Sequence, residues 1–131
     1  MIIEHKIKSN LKAIPQFTLS IFKKLEATGI NEDILFDIRL SLEEALINAV
    51  KHGNKMQKDK EVSFKIKVLP KSVEMEIKDQ GKGFDYKNIP IPTDEKNLEK
   101  TSGRGVFLIK KLMDKVEFLD GGSRIKMVKF K

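Results

Sequence analysis

Apolar and polar positions alternate from the first residues: Ile3, His5 and Ile7 fall on one side, Glu4, Lys6 and Lys8 on the other. That is the period of a half-buried strand. His5, in phase with the apolar side, reads as a packed or edge histidine rather than a ligand. From Leu11 to Ala27 the period changes, with Ile14, Phe17, Ile21 and Leu25 recurring at three and four before Gly29, which predicts an amphipathic helix and its stop. Asn31 opens a second helix as its cap, with Glu32 and Asp33 where the helix dipole favours acids. Leu35, Ile38, Leu42, Ala45 and Ala49 form its apolar stripe, and Gly53 ends it. Val62, Phe64, Ile66 and Val68 then alternate inward, "LPKS" turns the chain, and Val73, Met75 and Ile77 alternate again, predicting a hairpin.

Between Tyr86 and Thr101 the apolar period disappears, and Pro90 and Pro92 block regular structure, as expected of a functional loop. "SGRGVFLIKKLMD" begins a third helix with Val106, Ile109 and Met113 on one side. Two closing strands follow, around Val116 to Phe118 and Ser123 to Phe130, joined by Asp120-Gly121-Gly122. The order β, α, α, β, β, loop, α, β, β implies an α/β chain, an α+β two-layer sandwich whose mixed, mostly antiparallel sheet carries its helices on one face.

At 131 residues the chain is expected to form one domain over residues 1–131, so scaffold and site share one core. Charged residues make up 34% and hydrophobic residues 40%, a balance that excludes intrinsic disorder. The net charge of +7 is compatible with nucleic acid, an anionic membrane surface or a phosphorylated ligand. Because the lysines are scattered, a solvated surface is favoured, and neither direct nucleic-acid nor membrane binding is expected. The absence of cysteine removes disulfides and thiolate metal sites. With no membrane-length apolar run and no signal-peptide core at the N-terminus, the expected location is cytoplasmic.

Three constellations carry candidate chemistry. On the second helix, Glu44 and Asn48 are one turn apart, with Lys51 and His52 a further turn along. A solvated face would give the same stripe, but Asn has poor helix propensity. Its amide oxygen suits a hard cation such as magnesium, and a neighbouring carboxylate can act as general base. In "DQGKGF", Asp79 continues the inward series Val73, Met75, Ile77 and therefore faces the core side. A buried carboxylate needs a donor, and an exocyclic amine such as adenine's would serve. Gly81 and Gly83 permit close backbone approach, although a local Asp-Gly turn explains the same residues. In "TSGRG", two glycines before a helix N-terminus leave backbone N–H groups available to phosphate. A lone GxG is weak; the combination is more specific.

In this order, Glu44-x-x-x-Asn48-Ala49, Asp79-x-Gly81-x-Gly83-Phe84 and Gly103-x-Gly105 resemble the three boxes of the GHKL (histidine kinase-like) ATPase superfamily. "EEALINAVKHGN" and "GRGVFLIKKLMD" look like the anti-sigma factor serine/threonine-protein kinases of bacterial partner-switching systems. The resemblance implies a Bergerat-type ATP-binding fold with ATP and Mg2+ as cofactors and an ATP lid at about residues 86–102. It implies that Asn48 coordinates magnesium and that Glu44 is the catalytic base. Asp79 would receive the adenine amine; Gly81, Gly83 and Phe84 would line the base pocket; His52 and Gly53 would close the second helix near the nucleotide. Ser102, Gly103, Arg104, Gly105 and Val106 would form the phosphate cradle, and Ser123, where the superfamily often has Thr, would bond Asp79 or a bridging water. The implied partners are a STAS-domain anti-anti-sigma protein and a sigma factor, with the kinase as a homodimer. Two alternatives remain at this level: a nucleotide-dependent binding module without kinase activity, and a basic nucleic-acid or interaction domain.

Overall fold

A computed structural model describes residues 1–81 and 101–131; in the second stretch, the side chains of residues 101–104 lie outside the description. Along the chain run β1 (Ile2–Lys8), α1 (Ile14–Glu26), α2 (Glu32–Asn48), β2 (Glu61–Val68), β3 (Ser72–Lys78), α3 (Thr101–Leu112), β4 (Lys115–Leu119) and β5 (Arg124–Phe130). The strands form one sheet in the order β1-β2-β3-β5-β4, and all four pairings are antiparallel.

Period-two alternation decides what each strand buries. Val62, Phe64 and Ile66 of β2, Val73, Met75 and Ile77 of β3, and Ile125 and Met127 of β5 join Ile21, Leu25, Ile38, Leu42, Leu46 and Ile109 of the helices in one core. The helices therefore cover one face of the sheet. The opposite face carries Glu4, Lys6, Lys65, Glu76, Lys78 and Arg124 around a shallow concavity of about 590 Å³. Its charges pair with one another, Lys65 with Glu4 at 3.3 Å and Arg124 with Glu76 at 3.7 Å. His5 lies on the edge strand and is exposed, its ring edge-on to Phe17 at 6.0 Å.

Asn31 caps α2 as its residue type predicts, its side-chain oxygen accepting the Asp33 N–H at 2.8 Å, a contact worth about 1 kcal/mol. The end of α2 differs from expectation. The α-helix stops at Asn48, and Ala49–Gly53 form a π-helical turn, closed by the Asn54 N–H donating to the Ala49 carbonyl at 2.8 Å. Such wide turns insert an extra residue into the helical repeat and concentrate at functional sites. Lys55 and Met56 follow with φ of 51° and 63°, a left-handed exit that two consecutive non-glycine residues adopt only under tertiary constraint.

Candidate functional site

Asp79 lies one residue beyond β3 and is buried, with 6% of its surface exposed. The strand's alternation puts it on the helix-covered face, as its phase predicts. Its backbone N–H donates to the Ser123 carbonyl at 2.9 Å. Its carboxylate Oδ1 accepts the Gly81 N–H at 2.7 Å. Burial pushes the Asp79 pKa up, opposed by the Gly81 hydrogen bond and by the positive charge of Lys60. Desolvation is the largest of these causes and disfavours the charged form.

Two glycines close around that carboxylate. A Cβ on Gly53 would collide with the Asp79 carboxylate, and a Cβ on Gly81 would collide with the Gly53 carbonyl. Gly53 thus ends the π-helical turn against Asp79, which connects the end of α2 to the end of β3. Asn48, Asp79 and Ser123 line a common cleft with Ala45, Ala49, Ile77, Phe118 and Ile125. The lining mixes apolar side chains with the polar groups of Asn48, Asp79 and Ser123.

A second close approach joins α2 to α3. A Cβ on Gly105 would lie 2.9 Å from Glu44 Oε2, so the absence of a side chain there lets α3 pack beside the candidate base. Asn48 is one turn along α2 from Glu44, and both are partly exposed. Residues from three separate stretches therefore meet along one side of α2. His52, in the π-helical turn, is partly buried, and burial, reinforced by the charge of Lys51, lowers its pKa.

Two expectations are revised. The Ser123 hydroxyl does not bond Asp79; it donates to the Asp120 carbonyl at 3.1 Å, because the turn at Asp120–Gly122 folds back onto it. Ser123 reaches Asp79 through its main chain instead. The glycines of "TSGRG" do not precede α3, since the helix begins at Thr101. Gly103 is within the first turn, where N–H groups have no intrahelical acceptor, and Gly105 is beyond it. Val106 is buried, with 1% of its surface exposed, as its place on the apolar side of the helix with Ile109 and Met113 predicts. Gly83, Phe84 and residues 86–100 of the expected lid lie outside the described residues, as do the side chains of Ser102 and Arg104.

Asn54 and Gln80 were absent from the expected site. Asn54 is fully buried, at 0% exposure. Its Oδ1 accepts the Gln80 N–H at 2.8 Å and its Nδ2 donates to the Glu61 carbonyl at 3.0 Å. In the sequence it stands only as the last residue of "EEALINAVKHGN", directly after the Gly53 that ends the helix.

Residues 7–129 match the family model described as the histidine kinase-like ATPase domain. The chain belongs to that family. This histidine kinase-like ATPase domain is 29% identical to a serine-protein kinase RsbW of Listeria monocytogenes serovar 1/2a, with 95% of the chain and 87% of that protein aligned. It is 26% identical to a serine-protein kinase RsbW of Staphylococcus epidermidis, over 98% of the chain and 86% of that protein. A serine-protein kinase RsbW of Bacillus licheniformis is 33% identical over 78% of the chain and 68% of its own length. The antiparallel sheet with its helices on one face is consistent with the GHKL ATPase fold. Among the described residues, no helix is long and apolar enough to cross a membrane.

Proposed function

We propose that this domain binds ATP with magnesium and transfers the γ-phosphate to a serine or threonine of a small STAS-domain antagonist protein, as an anti-sigma-type regulator. The observation that carries the nucleotide half is the buried Asp79 carboxylate, enclosed by Gly53 and Gly81 in a small cleft that it shares with Asn48. Adenine offers its exocyclic amine to such an acceptor, whereas guanine presents a carbonyl oxygen that the carboxylate repels. The kinase half is supported by the names of the relatives, all serine-protein kinases, and by Glu44 standing one turn from Asn48.

Each residue has a defined task in this reading. Asp79 and the cleft floor hold the base, and the N-terminal turn of α3 offers backbone N–H groups to the phosphates. Among the described residues no cluster of three acids or histidines is available to cage a metal alone. Magnesium is commonly held by few protein oxygens together with phosphates and water; Asn48 would supply the protein oxygen. The ion would neutralise charge on the phosphates. Glu44 accepts the proton of the partner's hydroxyl as that oxygen bonds to the γ-phosphorus, the bond from phosphorus to the β–γ bridging oxygen breaks, and ADP leaves with that oxygen. Positioning and charge compensation supply most of the acceleration in such transfers.

The deciding experiment incubates the protein with labelled ATP, magnesium and candidate STAS-domain partners. Label on the partner, lost with Glu44→Ala while ATP still binds, is the expected result. Partner binding without label transfer, unaffected by Glu44→Ala, would establish a nucleotide-dependent binding module instead. No rise in Tm with ATP and magnesium would overturn both.

A further inference from the structure

β3 pairs with both β2 and β5 as far as its last residue, Lys78; beyond it the Asp79 N–H still bonds β5's neighbour Ser123, whereas the next pair with β2 is not made, and the side chain of Asn54 stands at the separation. The register pairs Ser63 of β2 with Lys78 of β3, and continuing it puts Glu61 opposite Gln80. At the hairpin turn the Leu69 N–H donates to the Ser72 carbonyl at 2.8 Å. The alternation of an antiparallel ladder then makes Glu61 and Gln80 a pair that would exchange both main-chain bonds. Neither is made main chain to main chain. The Gln80 N–H goes to Asn54 Oδ1 at 2.8 Å, and the Glu61 carbonyl receives Asn54 Nδ2 at 3.0 Å. The Glu61 N–H donates to the side-chain Oε1 of Gln80 at 2.8 Å.

We infer that Asn54 is a positioning residue for base recognition: its carboxamide, inserted between β2 and β3 like an extra peptide group, splays the end of β3 and so aims the Asp79 carboxylate at the nucleotide base. On the other side Asp79 remains tied to Ser123 through its N–H. Held by β5 and parted from β2, the chain turns at Gln80 and brings Gly81 under the Gly53 carbonyl. Asn54 is placed there by the π-helical turn and by the left-handed Lys55 and Met56 that follow it. An amide suits this position because it donates and accepts at once, as a peptide group does. Without it, Gln80 and Glu61 are free to close the ladder and draw Asp79 away from the cleft.

The inference rests on Asp79 as the base acceptor, and its test separates the two. ATP and GTP affinities are measured by calorimetry on the full chain, with amide exchange at Gln80 and Gly81 followed without nucleotide. Asn54→Ala should weaken ATP binding about tenfold, in proportion to one or two lost polar contacts. GTP binding should change less, so the preference for ATP narrows, and the exchange pattern at Gln80 should change. Asn54→Asp retains the acceptor for the Gln80 N–H and should keep most of the preference; it also decides the matter if Asn54→Ala does not fold. An unchanged ATP-to-GTP ratio in Asn54→Ala, or an equal loss in Asn54→Asp, overturns the role of Asn54 alone. Absence of ATP binding in the wild type overturns the nucleotide site together with it.

Discussion

Gly53 and Asp79 are packed so closely that the space where a Gly53 side chain would stand is filled by the Asp79 carboxylate. The contact joins the last residue of the π-helical turn to the residue that ends the inward series of β3. Gly53→Ala should therefore displace the carboxylate, destabilising the protein by about 1–3 kcal/mol, as overpacking does. The same substitution should abolish the rise in Tm that ATP produces. Denaturation with and without ATP checks both, and an unchanged ATP response would show that Asp79 need not hold this position.

Asp79→Asn should trade nucleotide binding for stability. A carboxyl group whose folded pKa is raised holds its proton more tightly when folded. Stability is then greatest below its unfolded pKa, about 3.9, and falls as pH rises through the raised folded value. At neutral pH the ionised group opposes folding. Asparagine keeps the shape and the acceptor for the Gly81 N–H without the charge, so the nucleotide-free protein should gain Tm at pH 7. The gain should shrink as the pH is lowered through that window, while ATP affinity falls. Thermal melts across pH, paired with ATP titration, test the sign.

Glu44→Gln should separate binding from chemistry. The proposed base is lost while the side chain beside Gly105 keeps its size. ATP affinity should stay close to that of the wild type, and phosphotransfer should fall by about 10²–10⁴-fold, the usual contribution of a general base. Single-turnover transfer to a partner measures it. Equal loss in binding and transfer would assign Glu44 to the nucleotide rather than to the hydroxyl.

Lys129 ties the two site helices to the sheet. From β5 its Nζ donates to the Leu112 carbonyl at the end of α3 at 2.7 Å and pairs with Asp37 of α2 at 3.0 Å. The lysine side chain is only 15% exposed and that of Asp37 27%, so removing one partner leaves a poorly solvated charge and an open helix carbonyl. Lys129→Met should cost about 2–4 kcal/mol in chemical denaturation. Adding Asp37→Leu should recover part of the loss, and full additivity of the two changes would show that they do not interact.

The order of strands and helices, the hairpin and the buried stripes follow from local periodicity, because burying one face of each element is the same physical demand wherever it packs. The inward direction of Asp79 follows in the same way from Val73, Met75 and Ile77, and the Asn31 cap from its residue type. The π-helical turn at Ala49–Gly53 could not be foreseen, since its residues suit an ordinary helix and the widening is set by what lies beneath. Ser123 was read by side-chain chemistry, whereas the link to Asp79 is made by a main-chain carbonyl that any residue would supply. Asn54 has no readable role in the sequence because its two partners, Glu61 and Gln80, lie 7 and 26 residues away. Periodicity is a local property and determined which faces are buried; the closures at Gly53–Asp79 and Gly105–Glu44 and the parting of β3 from β2 depend on distant segments meeting, and only the folded chain decided those.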